Sequence, residues 1–158
     1  MRKITAELLT QKGACQDQID RFRERFPDGV DPETVRLEEV YDLDVRWAVR
    51  SLLPAPARKA FVEATAPERE THKEVTAPAW KAYWGARASA VEAYMGARAN
   101  AAAAWRTDTE ARDAAWKAYE EVTAPAWKAL NKVKGPAREA LSEATARIAI
   151  ELFREYWR

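Results

Sequence analysis

The sequence predicts an all-α protein in which a small N-terminal helical module precedes long amphipathic helices. Two observations support this prediction: an eleven-residue repeat runs from Ala55 to Tyr156, and the chain lacks the alternation of apolar and polar residues that is typical of strands. Eleven residues make about three helical turns, so a stripe of equivalent side chains stays nearly parallel to the helix axis. The repeat therefore predicts helices rather than a sheet.

Residues 1–54 lie outside the repeat and predict a module of four short helices. The first is expected over residues 4–9, with Thr5 near its start and Gly13 as the break that follows. The second is expected over residues 14–26, where apolar residues recur at spacings of four, three and four. These apolar residues are Cys15, Ile19, Phe22 and Phe26. Because Cys15 falls on this apolar seam, we expect a buried structural thiol.

The third helix of the module is expected over residues 31–40. Its sequence starts with an N-cap aspartate, a proline at the first helical position and an acidic first turn. The fourth is expected over residues 44–53. We expect its Trp47 to share one core with Phe22 and Phe26.

Residues 55–158 form the repeat region, where the position of a residue within its unit decides its role. At about 98° per residue, positions 2, 6, 10, 3, 7, 11 and 4 occupy one continuous arc of the helix surface, and most apolar side chains lie there. We expect the large rings of this arc to be buried between helices or to form a partner surface. These rings are Trp80, Tyr83, Tyr94, Trp105, Trp116, Tyr119 and Trp127.

Prolines and an insertion predict where the long helices bend and turn. Five prolines occupy position 2 of their units: Pro56, Pro67, Pro78, Pro125 and Pro136. An interior proline removes a backbone hydrogen bond, so each Thr-Ala-Pro predicts a kink or a helix start. A three-residue insertion and a capping-box sequence, Thr107 to Glu110, predict a turn near residues 106–110. The two arms are then expected to fold into a helical hairpin or bundle.

The composition argues against catalysis and cofactor binding. The single histidine, His72, and the single cysteine are too few for a His/Cys metal cluster, and neither a GxxxxGK nor a GxGxxG motif is present. We therefore predict a non-enzyme with no catalytic, metal or cofactor-binding residues. The N-terminal residues lack the apolar segment of a signal peptide, and no stretch approaches the about 20 apolar residues of a membrane span. A cytoplasmic location is expected.

Three segments carry a resemblance to a known group of proteins: GACQDQIDRFRERFPDG, LDVRWAVRSLLPAP, and the tandem units TAPAWKAY and TAPAWKAL. They resemble small accessory proteins encoded by bacteriophages and prophages, in which a short N-terminal module precedes repeats of the Ala-Pro-Ala-Trp/Leu-x-x-Tyr type. The resemblance covers nearly the whole chain, although residues 99–112 depart from the repeat. It implies a role inside a host bacterium and supplies no catalytic residues.

Three functions are compatible with these features. The first is stoichiometric binding to a bacterial protein or ribonucleoprotein complex, with counter-defence inhibition of a CRISPR effector as a specific case, because Trp and Tyr dominate interface hot spots. The second is binding to a lipid surface, since proline-punctuated amphipathic units resemble exchangeable apolipoproteins. The third is weak nucleic-acid binding through residues 81–106, which contain four basic residues, Lys81, Arg87, Arg98 and Arg106, and a single acidic residue, Glu92. The net charge of +1 argues against direct nucleic-acid binding, and self-association is a further possibility.

Four residues are the predicted contacts with a partner. Trp84 and Met95 occupy position 8 of their units, outside the apolar arc, and Arg87 and Arg98 lie at its rim. These large side chains have the smallest role in a core, so we expect them to contact a partner protein.

Overall fold

The computed structural model describes residues 3–40, 43–103 and 109–157, with the side chains of residues 101–103 left aside. In these residues the fold is all-α and contains no strand; Ile4 and Val30 form one isolated antiparallel bridge. The helices are α1 (Ala6–Gln11), α2 (Gln16–Arg25), a 3₁₀ helix (Leu37–Glu39), α3 (Val45–Leu52), α4 (Ala55–Ala103) and α5 (Thr109–Tyr156). The long helices α4 and α5 pack as a hairpin. The predicted turn near residues 106–110 begins outside the described residues.

The chain divides into two compact units. The first comprises Met1–Thr71 together with Glu139–Arg158, and the second comprises His72–Arg138. The first unit thus joins the N-terminal module to the beginning of α4 and the end of α5, whereas the sequence repeat divides the chain into residues 1–54 and 55–158.

The first two helices of the N-terminal module follow the sequence prediction closely. The Thr5 hydroxyl accepts a hydrogen bond from the Leu8 N–H at 3.3 Å and caps α1. Gly13 follows with φ of +79°, a left-handed conformation that favours glycine. In α2 the apolar seam buries Ile19 and Phe22, and the ring of Phe22 lies 5.1 Å from that of Phe26.

The prediction of a buried Cys15 is wrong, because its side chain is exposed. Cys15 is the N-cap of α2 and has extended backbone angles, φ −72° and ψ 150°. A residue in this conformation does not continue the helical stripe of the residues that follow it. The buried seam therefore begins at Ile19.

The predicted α-helix over residues 31–40 is also wrong. Asp31 does accept a hydrogen bond from the N–H of Glu33 at 3.0 Å, but only a turn and the short 3₁₀ helix follow. The reason is a competing tertiary contact: the guanidinium of Arg154 donates to the carbonyls of Pro32 and Val35 at 3.2 and 3.1 Å. An α-helix would require those carbonyls for its own ladder.

The core of the first unit joins the module to both long helices. Asp44 caps α3 by accepting a hydrogen bond from the Trp47 N–H at 2.9 Å, as expected for a helix over residues 44–53. Trp47 is partly buried against the core that contains Phe22 and Phe26. From the long helices, the same core receives Ala57, Phe61, Ala149, Ile150, Leu152 and Phe153. Apolar burial of this kind is the main source of folding stability.

The prolines do not start new helices inside the repeat. Pro56 lies in the first turn of α4, where its missing N–H has no partner to lose. Pro67 and Pro78 lie within α4, and Pro125 and Pro136 within α5, without interrupting either helix. All five are exposed. The carbonyl four residues earlier therefore faces the solvent side, where water can replace the lost hydrogen bond.

A threonine of the repeat lies on the opposite, packed side of the helices. The hydroxyls of Thr65, Thr76, Thr123 and Thr145 each donate to the carbonyl four residues earlier, at 2.6 to 2.9 Å. Three of these threonines are buried. Because the hydroxyl finds its partner within its own helix, a threonine can lie at a helix contact without an unsatisfied polar group.

Candidate partner-binding surface

The second unit buries few of its large apolar side chains. Among the residues of this unit whose side chains the structure describes, Thr76, Ala90 and Leu130 are buried. Two packed helices cover only the seam between them, chiefly positions 3, 7 and 11 of the repeat, whereas the apolar arc spans seven positions. The flanks of the arc are left exposed. Large apolar side chains of this unit with 41 to 55% exposure are Val75, Trp84, Val91, Met95, Trp116, Val122 and Trp127.

The aromatic residues of the arc are thus not largely buried. Trp116 and Trp127 are 50% and 45% exposed. Four other rings of the arc are partly buried: Trp80, Tyr83, Tyr94 and Tyr119. Trp105 lies outside the described residues. Of the two predicted roles, burial between helices fails for Trp116 and Trp127, and the partner surface stays a prediction.

Four rings form one connected cluster that spans both helices of the second unit; we call it the tryptophan cluster. It consists of Trp80, Tyr83 and Trp84 from α4 and Trp127 from α5. Trp80 and Trp84 stack with an interplanar angle of 17° and centroids 6.1 Å apart, while Tyr83 lies 5.3 Å from Trp84. Tyr83 also contacts Trp127 at 5.4 Å. These contacts hold large rings in place while leaving half of Trp84 exposed.

Two cations lie over the rings of this cluster. The guanidinium carbon of Arg87 is 5.0 Å from the ring centre of Trp84. The ammonium of Lys134, on α5, is 5.2 Å from the ring centre of Trp80 on α4. The negative face of an indole attracts a cation at such a distance. The cluster is therefore rimmed by fixed positive charge.

A second group of rings repeats the arrangement farther along the hairpin. Tyr94 of α4 lies 6.0 Å from Trp116 and 6.4 Å from Tyr119, both of α5. Trp116 and Tyr119 stack at 5.2 Å with an interplanar angle of 23°. Trp116, which is half exposed, extends the aromatic surface.

The predicted partner contacts fall into two pairs along α4. Trp84 and Arg87 contact each other within the tryptophan cluster. Met95, at 55% exposure, and Arg98, also exposed, follow them by eleven residues, or about 16 Å of helix. The structure thus places Trp84, Met95 and Arg98 on exposed positions of one helix and Arg87 on a partly buried one, and their role in binding stays a prediction.

Sequence reasoning missed the contribution of α5 to this surface. Trp127 occupies position 4, at the edge of the apolar arc, and the sequence leaves open whether its ring is buried between helices or belongs to a partner surface; the two-helix arrangement shows that this edge is exposed. Lys134 was not singled out, since its ring partner Trp80 is distant in sequence. The width of the apolar arc could have predicted this surface. The arc spans seven positions of the repeat, and a hairpin of two helices covers only the middle of it.

The first unit contains an apolar cavity of about 340 Å³. Two of its polar lining residues already serve the fold: the Asp44 N–H donates to Gln18 Oε1 at 2.8 Å, and Asp44 Oδ1 accepts from Trp47. Ligand sites orient their ligands with a few convergent polar groups. The cavity is therefore mainly apolar and has few free polar groups that could orient a ligand. The exposed aromatic surface is the stronger candidate for a functional site.

The described residues offer little support for other kinds of site. They contain no group of three His, Cys, Asp or Glu side chains arranged to hold a metal ion. None of their helices is long and apolar enough to cross a membrane. In comparisons with known proteins, no family model, no curated protein and no solved structure matches the chain.

Proposed function

We propose that this chain acts by stoichiometric binding to a bacterial protein or ribonucleoprotein complex, through the tryptophan cluster and the adjoining exposed side chains of α4. The observation that carries the proposal is the half-exposed Trp84, held by Trp80 and Arg87. Trp, Tyr and Arg are the residues enriched at interface hot spots. Rings that are already ordered lose little side-chain entropy on binding.

The function proposed for this binding is inhibition without turnover. The resemblance to phage and prophage accessory proteins makes a bacterial defence complex, such as a CRISPR effector, the first target to examine. A protein that blocks such a complex needs a rigid, accessible contact surface rather than catalytic groups. In support of this proposal, the second unit has the half-exposed rings of Trp84, Trp116 and Trp127 on two antiparallel helices.

A titration tests this proposal. The defence complex is purified from a bacterium that carries it. Its activity is then measured while the wild-type chain, Trp84→Ala or Val62→Ala is added in increasing amounts. Val62 is the matched control because it is an exposed apolar residue, at 57%, of the first unit. We expect inhibition that saturates near one equivalent for wild type and Val62→Ala and is weakened by Trp84→Ala. Equal inhibition by all three proteins would contradict the surface assignment.

A further inference from the structure

The charge distribution around the tryptophan cluster is strongly one-sided. Residues 75–91 of α4 and 122–138 of α5 contain six basic residues and no acidic residue. We call these two segments the basic band. Its cations are Lys81, Arg87, Lys128, Lys132, Lys134 and Arg138. Since the whole chain carries +1, the remaining residues together carry −5. A nearly neutral chain therefore contains a concentrated positive region.

The hairpin brings the two segments of the band together in the second unit. Tyr83 contacts Trp127 at 5.4 Å, and Lys134 lies over Trp80 at 5.2 Å, so each segment contacts the other through its rings and cations. Lys81 and Lys128, each directly after a tryptophan of the cluster, are exposed. The positive charge and the exposed aromatic surface thus occupy the same part of the hairpin.

The state of the rings favours carboxylates over nucleic-acid bases as the partner groups. Binding of single strands relies on bases that stack on open aromatic faces. Here the Trp80 and Trp84 rings already stack on each other, and Lys134 and Arg87 lie over them. The exposed parts of the cluster offer contact to apolar side chains, and a guanidinium held over a ring offers paired N–H donors to a carboxylate.

The charge also disfavours a second copy of this chain as the occupant. In a twofold dimer the same patch meets itself. Two basic bands would then face each other, with six like charges on either side and no acidic residue between them. Like charges brought together at an interface cost several kcal/mol.

We infer that the basic band and the tryptophan cluster together bind an acidic protein segment that carries apolar or aromatic anchors. This inference rests on the proposed function and specifies the chemistry of the partner. Carboxylates of the segment pair with the cations of the band, and its anchors pack on the exposed parts of Trp84 and Trp127. The positive field steers an acidic segment toward the surface, so association is faster at low salt.

Fluorescence anisotropy with labelled peptides tests the inference directly. The probes are a peptide rich in glutamate with interspersed phenylalanine, the same peptide with glutamine for glutamate, and a short oligothymidylate. The proteins are wild type, Lys81→Glu with Lys128→Glu, and the control Lys59→Glu with Arg147→Glu. The control makes the same change in net charge on exposed residues of the first unit. Melting temperatures of all three proteins establish that they are folded.

We expect wild type to bind the glutamate peptide. The variant Lys81→Glu with Lys128→Glu should bind it about tenfold more weakly or worse, a loss of ~1.4 kcal/mol. The control variant should bind it about as tightly as wild type. Equal binding of the glutamate and glutamine peptides would overturn the charge argument. If the oligothymidylate bound more tightly than the glutamate peptide, the partner would be a nucleic acid and the inference of an acidic protein segment would be overturned. Absence of binding to the glutamate peptide would also overturn the inference.

The outcome can be separated from that of the proposed function. Suppose that the variant Lys81→Glu with Lys128→Glu inhibits a purified complex as well as wild type does, while Trp84→Ala inhibits it poorly. In that case the inference fails and stoichiometric binding stands. If no complex is inhibited at all, the proposed function fails, and the peptide measurement still decides the chemistry of the surface.

Discussion

Tyr83 and Trp127 contact each other across the second unit with ring centres 5.4 Å apart. The same pair of repeat positions, 7 and 4, meets again at Tyr94 and Trp116, 6.0 Å apart. Between the two contacts α4 advances by eleven residues and α5 goes back by eleven. The repeat length therefore matches the register of the antiparallel hairpin in the second unit: the two contacts join the same pair of repeat positions, one unit apart on each helix.

Leu130 is expected to be far more important for stability than Trp84. Leu130 is 1% exposed, whereas Trp84 is 50% exposed. Leu130→Ala should lower the free energy of unfolding by about 2–5 kcal/mol because it leaves a cavity in a packed seam. Trp84→Ala should cost only about 1–2 kcal/mol, since half of the ring remains in water. Urea denaturation of both variants checks this, and equal losses would contradict the assigned seam.

Gly29 and Gly13 form a matched pair for backbone strain. Both have positive φ, +74° and +79°, but a Cβ on Gly29 would lie 2.7 Å from the Ile4 carbonyl oxygen, while a Cβ on Gly13 meets nothing within 4 Å. That oxygen accepts the hydrogen bond from Val30 in the isolated bridge. Gly13→Ala should therefore cost about 1–2 kcal/mol and Gly29→Ala clearly more. Thermal denaturation of the two variants compares them, and a larger loss for Gly13→Ala would contradict the close approach.

Gly85 and Gly96 should be positions where alanine stabilises the protein. Both lie within α4, and a Cβ on either would meet nothing within 4 Å. Alanine reduces the entropy of the unfolded chain and favours the helix, so each substitution should raise the free energy of unfolding by about 0.5–1 kcal/mol. A decrease for both would indicate that these positions contact another part of the protein.

Acid should weaken the turn around Glu39. The backbone N–H of Arg36 donates to Glu39 Oε2 at 2.7 Å, and with the nearby guanidinium it holds the pKa of Glu39 below its ordinary value. A carboxylate whose pKa is lowered in the folded state stabilises the fold fully above its unfolded pKa, about 4.3. The contribution is lost as the pH falls through the lower folded value.

Glu39→Gln tests this pH dependence. The variant should be less stable than wild type near neutral pH, with a difference that shrinks as the pH falls through the lowered pKa. Glu24→Gln, which removes an exposed carboxylate of α2, is the control. Denaturation across this pH range measures the difference, and a gap that stays constant would contradict the role of the ionised carboxylate.

Much of the fold could be predicted from the sequence because the interactions that determine it are local. Helix caps such as Thr5 and Asp44, and the stripe of the repeat, depend on residues a few positions apart. The turn at residues 32–34 could not be predicted, since Arg154 sets it from more than a hundred residues away. Pro67 and Pro125 likewise indicated kinks or helix starts; the helix starts are absent, because the exposed prolines leave the unpaired carbonyls on the solvent side and α4 and α5 continue through them.

The candidate site was only partly predictable for a similar reason. Trp84 stands out in sequence because it falls outside the apolar arc of one helix, and Arg87 stands out because it is a charged residue at the rim of that arc. Trp127 and Lys134 belong to the same surface only because α5 packs antiparallel to α4. The pairing of two arms, and therefore the basic band that they create together, is a tertiary property.

The most direct test of the account is a titration of the purified target complex with the chain and with Trp84→Ala combined with Trp127→Ala. Both rings are about half exposed, so the double variant should remain folded, and its melting curve verifies this. We expect wild-type inhibition to be complete near one equivalent and the double variant to inhibit only at much higher concentration. Complete inactivation by a small fraction of an equivalent of wild type, or unchanged inhibition by the folded double variant, would contradict stoichiometric binding through this surface.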